Sequence, residues 1–222
     1  MSQVRLIAFT QPIELEGVQT GEELVAYCAR VSNPANQANH ETAPRLLNYL
    51  VRNQHWSPFE MAHAVIEIQT TRDIARQILR HRSFSFQEFS QRYAEVNEPM
   101  VLRKARLQDA KNRQNSTETD DPELIEWWER KQRFIADAAM EVYQYALDND
   151  IAKEVARAVL PEGLTPSRLY MSGSVRSWIH YIQLRAGNGT QKEHREIAVM
   201  CKLALLHVMP SIKEILDATQ DH

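Results

Sequence analysis

The chain has 222 residues, of which 43% are hydrophobic and 25% charged, and its formal net charge is -3. This composition is typical of a soluble globular protein, and a chain of this length can bury a large core. The negative net charge argues against a protein that holds nucleic acid mainly by neutralising phosphates. Because no apolar run reaches the length of a membrane span and the N-terminus lacks a signal-peptide pattern, we expect a cytoplasmic protein without a membrane segment.

In the first half of the chain, hydrophobic periodicity predicts short strands that alternate with amphipathic helices. In chain order, the pattern predicts a strand at 4–9, helices at 21–32 and 42–52, a strand at 63–70 and a helix at 73–81. Residues 102–121 are polar and lack apolar periodicity, which predicts a mobile surface excursion.

The second half of the chain is predicted to be mostly helical. Asp121 and Pro122 provide an N-cap and a first-turn proline for a long helix at 122–149. Its predicted apolar stripe consists of Leu124, Trp128, Ile135, Ala138, Val142 and Ala146. Further elements are predicted as a helix at 151–160, a short strand at 169–174, and helices at 174–186 and 193–208. The pattern as a whole predicts one α+β domain over residues 1–222, with a small, mainly antiparallel sheet surrounded by helices.

The cysteines and tryptophans favour structural roles. Cys28 and Cys201 lie on amphipathic helices, where a cysteine is usually a small core residue, and neither has a CxxC partner. His180 and His194 come nearest to a metal cluster, but the motifs of known zinc sites are missing around them, so we predict no metal site. Trp127, Trp128 and Trp178 are expected in the core or at an interface.

The richest chemistry lies in residues 76–93. Arg80, His81 and Arg82 are followed by Ser90 and Arg92, and Glu88 is the only acid in the run, so we expect most of this positive charge to lack a local partner. Such planar donors suit a planar anionic ligand, such as a nucleotide. The alternative is a solvated cationic helix face made by Arg72, Arg76 and Arg80, since such faces are common. The part that contains Phe84, Phe86 and Phe89 is predicted to be a loop.

The pattern Arg-His-Arg, seven residues, Ser, then Gln-Arg-Tyr resembles the signature of the flavin-dependent thymidylate synthases. Segments 29–32, 55–60, 154–161 and 176–185 resemble further family segments in the same order, so the resemblance extends over residues 24–200. It implies the fold of that family and a homotetramer with shared active sites. It also implies conversion of dUMP to dTMP, with methylenetetrahydrofolate as the carbon donor and NADPH-reduced FAD as the hydride source.

The resemblance also implies site residues. Arg185 is the catalytic residue, since a guanidinium beside a uracil favours ionisation at N3. Neither cysteine lies in an electropositive segment that would favour an attacking thiolate. The residues implied for dUMP are Gln77, Ile78, Leu79, Arg80, Glu88, Phe89, Ser90, Gln91, Arg92, Arg157 and Arg185. Those implied for FAD are Ser57, Arg80, His81, Arg82, Glu88, Ser174, Val175, Arg176 and His180.

Two other functions remain open on the sequence alone. The first is an RNA- or nucleotide-binding module in which Arg and Phe form a stacking platform. The second is a relative that binds FAD and nucleotide but does not transfer a methyl group. A flavin site here would have no Rossmann turn, because no GxGxxG follows a strand, so Arg80 and Arg82 are expected at its pyrophosphate. Ser174 stands where relatives often carry Asn, which removes one amide donor.

Overall fold

The computed structural model describes residues 2–217 of the chain. The strands are β1 (Gln3–Phe9), β2 (His63–Thr71), β3 (Ser85–Glu88), β4 (Arg106–Gln108), β5 (Ser116–Glu118) and β6 (Pro166–Ser174). The α-helices are α1 (Gly21–Ala29), α2 (Ala43–Arg52), α3 (Arg72–Ile78), α4 (Pro122–Asp148), α5 (Lys153–Ala156), α6 (Val175–Arg185), α7 (Lys192–Val208) and α8 (Lys213–Asp217). No helix within the described range is both long and apolar enough to cross a membrane.

The main sheet has four strands in the order β1-β2-β6-β3, and every pair is antiparallel. Its centre is the long ladder between β2 and β6, which extends from His63 opposite Ser174 to Thr71 opposite Pro166. The predicted strand at 169–174 therefore exists but is three residues longer, because the ladder continues to the end of β2. The predicted α+β class with a small antiparallel sheet is confirmed.

Helices α6 and α7 supply a large part of the core. The fully buried side chains of α6 include Trp178, whose indole N–H donates to the Ala64 carbonyl on β2 at 3.2 Å. Cys201 of α7 is also fully buried, and burial raises the pKa of its thiol far above the usual range. The core roles predicted for Trp178 and Cys201 are confirmed.

The prediction of a loop after Phe84 is wrong for four residues. Ser85 to Glu88 form the edge strand β3, which pairs with Ser172 to Leu169 of β6. The reason is a period of two: Phe84 is buried and Phe86 half-buried, whereas Ser85 and Gln87 are exposed. The helix before it also ends earlier than predicted, at Ile78, because the His81 N–H bonds the Ile78 carbonyl in a tighter turn.

The polar excursion at 102–121 contains the two-stranded hairpin β4–β5. Its charged side chains hold it against α7, since Arg106 lies 2.7 Å from Glu193 and Glu118 pairs with Lys192. Arg103, just before the hairpin, pairs with Asp73 of α3 at 2.9 Å. The excursion is thus ion-paired to α3 and α7 at both of its ends.

Helix α4 begins as predicted but buries a different face. The Asp121 carboxylate accepts hydrogen bonds from the backbone N–H groups of Glu123 and Leu124 at 3.0 and 3.1 Å, which confirms the N-cap. The residues of α4 that the chain buries are Gln132, Ala136, Tyr143 and Ala146. Of the predicted apolar stripe, only Ala146 is buried, and Trp128, Ile135 and Val142 are exposed. Trp127 and Trp128, predicted in the core or at an interface, are both exposed in one chain, so they do not belong to its core, and the interface position stays a prediction.

Candidate active site

The N-terminal part of α6 gathers most of the residues implied for the flavin. Ser174 caps this helix, and its Oγ accepts a hydrogen bond from the Ser177 N–H at 3.3 Å. Arg176 lies 2.9 Å from Glu60, which is in the same short turn as Ser57. The residues implied for FAD that share this end of the sheet are Ser57, Ser174, Val175, Arg176 and His180.

Several contacts hold this end of α6 in place. The ring of His180 stands edge-on to Trp56, with ring centroids 4.6 Å apart, and burial lowers the pKa of His180. A hydrogen bond from Ser174 and the nearby Arg176 lower the pKa of Glu60 despite its partial burial. Val175 is fully buried, so its contribution to a ligand would come from its backbone.

The C-terminal end of α6 carries Arg185. Its Nε–H donates to Nε2 of His81 at 3.0 Å, so His81 accepts there and is protonated at most on Nδ1. Burial, together with the charges of Arg185 and Arg80, lowers the pKa of His81 to about 4. His81 is therefore neutral at pH 7. The two terminal nitrogens of the Arg185 guanidinium have no hydrogen-bond partner among residues 2–217, so they can donate to a ligand.

A third group lies beyond the end of β3. The Glu88 carboxylate accepts a hydrogen bond from the Ser167 hydroxyl at 2.8 Å and lies 3.7 Å from Arg72. The residues implied for dUMP in this group are Glu88, Phe89, Ser90, Gln91, Arg92 and Arg157. Gln91 is only 3% exposed, and its Nε2 donor has no hydrogen-bond partner within the described part of the chain. A buried amide donor of this kind is costly unless a ligand or another chain satisfies it.

The expectation of unpaired positive charge is only partly right. Arg72 pairs with Glu88 of the run itself, whereas Arg76 and Arg92 have acidic partners from distant segments, Glu162 and Glu154. By contrast, Arg80 and Arg82 are exposed, and within residues 2–217 neither lies in ion-pair distance of a carboxylate. Among the arginines of residues 76–93, the two that flank His81 thus have no ion-pair partner in the described part of the chain. Of their neighbours, Ile78 is fully buried and Leu79 half-buried, so a ligand would meet mainly their backbone.

The three groups are spread along one chain. Glu88 lies opposite Leu169 on β6, five residues from Ser174, which at strand geometry is about 17 Å. The group beyond β3 and the group at the start of α6 are therefore separated along the sheet by about this distance. This spread is expected if each complete site combines parts of more than one subunit.

Sequence reasoning missed two residues of this region. Tyr181 and His194 are buried beneath His81, with the centroids of the Tyr181 and His81 rings 4.9 Å apart. The sequence singled out His194 only because it comes, with His180, nearest to a metal cluster, and no metal site was predicted there. No group of three potential metal-binding side chains occurs among the described residues. Close by, a cavity of about 1370 Å³ lies between the sheet edge and α7, lined by Arg103, Arg106, Arg168, Lys192 and Arg195 among others.

The comparison with protein families identifies this arrangement. A family model described as thymidylate synthase complementing protein matches residues 14–211. The chain belongs to this family. The family predicted from the Arg-His-Arg pattern is thereby confirmed.

Relatives within the family are similar to this chain over nearly their whole length. The chain is 53% identical to a probable flavin-dependent thymidylate synthase of Paramecium bursaria Chlorella virus 1, over 96% of this chain and 98% of the relative. It is 48% identical to the flavin-dependent thymidylate synthase of Synechocystis sp., over 96% and 99% of the two chains. Among solved structures, a UMP/dUMP methylase, PolB from Streptomyces cacaoi, bound with 5-Br UMP, matches with a TM-score of 0.83 and 26% identity, covering 99% of this chain and 95% of that one. The predicted fold is confirmed.

Proposed function

We propose that the protein is a flavin-dependent thymidylate synthase that works in the cytoplasm. It converts dUMP to dTMP, takes the carbon from methylenetetrahydrofolate, and uses FAD reduced by NADPH as the hydride source. The observation that carries the proposal is the placement of Arg185. Its guanidinium lies beside the neutral imidazole of His81, and no carboxylate of residues 2–217 forms an ion pair with it. Similarity to flavin-dependent thymidylate synthases over nearly the full length of the chain, at 53% and 48% identity, supports the same function.

Arg185 activates the base. A uracil ring becomes reactive at C5 when electron density rises in the ring, and a guanidinium next to N3 stabilises the deprotonated form. Because His81 is neutral and accepts from Nε, it orients the guanidinium without cancelling its charge. The free terminal nitrogens can then donate to the ring as a planar fork.

Arg92 and Arg157 hold the nucleotide phosphate. Arginine forks match phosphate oxygens in a bidentate way, and both residues lie in the group beyond β3. Arg92 already faces Glu154 at 3.3 Å, so phosphate binding there exchanges one anion for another. Ser90 positions substrate, because no base adjacent to it would make its hydroxyl a nucleophile. The unsatisfied amide of Gln91 fits a segment that is completed by a ligand or by another subunit.

The residues at α6 fit an FAD. Arg80 and Arg82 are exposed and without ion-pair partners in the described range, which suits a pyrophosphate. Ser57, Arg176 and His180 offer donors along the adjoining end of the sheet, whereas the Ser174 hydroxyl is already occupied as the helix cap. When bound and reduced, the flavin supplies the hydride. This chain's own residues bind and orient it.

The active protein is a homotetramer with shared sites. Helix α4 exposes a face of large apolar side chains, with Ile135 52% and Phe134 71% exposed. A patch of this kind on one chain is typical of an interface. The spread of the three site groups supports the same assembly, because neighbouring subunits can bring the group beyond β3 to the end of α6 of another chain.

The experiment begins with the cofactor. Purified protein should be yellow, and NADPH should bleach the flavin band in the absence of oxygen. A colourless protein that takes up no added FAD contradicts the proposal and favours a binding module. A yellow protein that binds dUMP but makes no dTMP with folate and NADPH is instead a relative that does not transfer a methyl group.

The role of Arg185 is tested by the release of the C5 hydrogen of dUMP. We expect Arg185→Ala to reduce release by at least about a thousand-fold, since removal of one preorganised charge stabiliser costs roughly 10²–10³ in rate and here the charge itself is lost. Flavin binding should remain. Arg52→Ala is the matched control, because Arg52 is exposed on α2 and pairs only with Glu214. Turnover by Arg185→Ala near the level of the control would exclude the assigned role.

A further inference from the structure

A continuous chain of buried and half-buried polar side chains lies behind Gln77. The Tyr181 hydroxyl is 3.1 Å from Nε2 of His194, and Nδ1 of His194 is 3.3 Å from Oε1 of Gln77. Nε2 of Gln77 is 2.7 Å from Oε1 of Gln191, and Nε2 of Gln191 is 3.0 Å from Glu193. His194 is fully buried, and Tyr181 is nearly so. The chain thus connects α6, α7 and α3 at the place where Gln77 is implied to bind the nucleotide.

Glu193 is held as a carboxylate at one end of this chain. Burial alone would raise its pKa, but the hydrogen bond from Arg106 and the charge of Arg103 lower the pKa to about 2. The ion pairs measure 2.7 Å to Arg106 and 3.5 Å to Arg103. An ionised carboxylate can only accept hydrogen bonds. This end of the chain therefore has a fixed polarity.

The ionised carboxylate of Glu193 fixes which atom donates and which accepts in every hydrogen bond of this side-chain network. Gln191 must direct its NH₂ group to Glu193, so its carbonyl oxygen faces Gln77. Gln77 must then direct its own NH₂ group to Gln191 and its carbonyl oxygen to His194. His194 must donate from Nδ1, which leaves Nε2 to accept from the Tyr181 hydroxyl. Any single amide flip would place two acceptors or two donors against each other.

We propose that His194 is a positioning residue that fixes the orientation of the Gln77 amide for the nucleotide. The proposal rests on the proposed function, in which Gln77 contacts dUMP. The hydrogen bonds to Gln191 and His194 use one N–H and one lone pair of the Gln77 amide. The second N–H and the second lone pair of this amide are then held in a fixed orientation, in which they can bind a ligand. Binding then requires less ordering of the side chain, which strengthens affinity. His194 itself need not touch the nucleotide.

Two substitutions of His194 distinguish the roles of its two ring nitrogens. The amide nitrogen of His194→Asn lies near the position of Nδ1, so this variant can still donate to Gln77. His194→Gln reaches the position of Nε2 and loses that donor. We expect His194→Gln to raise the KM for dUMP about tenfold, which is the size of one lost hydrogen bond, with a much smaller change in kcat. His194→Asn should restore the KM to within about threefold of the wild type. Equal losses in the two variants, or a KM unchanged in both, would overturn the proposal.

A third variant tests the direction of the hydrogen bonds in this side-chain network without changing His194. Gln191 is half-buried, and Gln191→Leu breaks the connection to Glu193, so Gln77 and His194 can reverse together. Solid-state ¹⁵N NMR of histidine-labelled protein, without nucleotide, reports the tautomer directly. We expect His194 to be the Nδ1–H form in the wild type and a mixture of tautomers in Gln191→Leu. An Nε2–H form in the wild type, or a single tautomer in Gln191→Leu, would refute the positioning role.

The two sets of results distinguish the proposals. A wild-type protein that binds no dUMP contradicts the proposed function, while the NMR experiment still decides the order of protons in the chain. A protein that makes dTMP but shows the reverse tautomer keeps its function and excludes the positioning role of His194. Flavin content of each variant checks that it is folded.

Discussion

Arg185 has two uncharged histidines for neighbours. Burial, the charge of Arg185 and the nearby His81 lower the pKa of His194 to about 3, and His81 is likewise neutral. A partly buried guanidinium with neutral neighbours keeps its full charge in a place where water is scarce. In the proposed reaction, this environment would favour the deprotonated base over the neutral one.

The same two histidines make stability depend on pH. In the unfolded chain both titrate near pH 6.5, whereas in the folded chain the pKa values are about 4 and about 3. Below pH 6.5 the unfolded state therefore binds more protons, so stability falls with falling pH, by up to about 1.4 kcal/mol per pH unit for each histidine. Stability is fully present above pH 6.5 and is lost as the pH falls toward 3.

Urea unfolding between pH 7.5 and 5 measures this dependence. His194→Asn removes one of the histidines whose pKa is lowered, so we expect a clearly smaller slope in that variant, with His81 and His180 supplying the remainder. A wild-type stability that rises as the pH falls through this window would mean that the histidines are charged in the folded protein.

The residues of the site were predictable to different degrees. Arg185, Gln77 and His81 were implied by the resemblance to the family, and in the structure they lie close together around the ends of α3 and α6. Tyr181 and His194 did not follow, because helical periodicity predicts that a position is buried but not which polar group it meets across more than a hundred residues. His194 bonds Gln77 over a separation of 117 residues. Such pairings depend on tertiary packing.

At the scale of elements, β3 shows how short strands escape prediction. Its four residues give only two inward positions, Phe86 and Glu88. Phe84, just before the strand, requires space opposite it on β6. Gly173 provides that space, since a Cβ there would lie 2.5 Å from the Phe84 ring. The long periodic elements β2, α4, α6 and α7 were predicted to within a few residues. The bounds of β3 depend instead on a partner that the sequence does not indicate.

Gly173→Ala should therefore disturb the pairing of β3 with β6. We expect a loss of about 1–3 kcal/mol in the free energy of unfolding, because the added methyl group overpacks a buried contact. Gly163→Ala is the matched control: a Cβ at Gly163 would meet nothing within 4 Å, so its effect should stay within about 0.5 kcal/mol. Denaturant unfolding measures the free energy of unfolding of both variants and of the wild type. Equal stabilities would show that Phe84 moves aside without cost.

At the scale of the whole molecule, the exposed face of α4 is the feature that one chain leaves unexplained. The helix buries Gln132, Ala136, Tyr143 and Ala146, but it exposes Phe134, Ile135 and Val142. An amphipathic helix in an isolated domain would cover such large apolar side chains with its own chain. The sequence predicted the stripe itself, but the stripe could not reveal whether its own chain or another subunit covers it.

Ile135→Lys should weaken the proposed tetramer. A charge placed within a buried apolar contact costs several kcal/mol unless it finds a partner, so we expect smaller species in analytical ultracentrifugation. Ile13→Lys is the control, since Ile13 is 93% exposed in the segment between β1 and α1 and should leave the assembly unchanged. Loss of dTMP formation should accompany dissociation if the sites are shared. An unchanged tetramer in Ile135→Lys would place the interface elsewhere.

Helix α6 has a consequence for how the protein can change over time. Its cap, Ser174, belongs to the flavin group, and its last residue, Arg185, belongs to the nucleotide group. At 1.5 Å per residue the helix spaces the two by about 16 Å, and each inserted or deleted residue would also rotate one end by about 100° relative to the other. Single substitutions along α6 leave its length unchanged. An insertion or deletion within α6 would instead displace and rotate Arg185 relative to Ser174. We expect natural variants to place insertions in the turn after Arg185 rather than within α6.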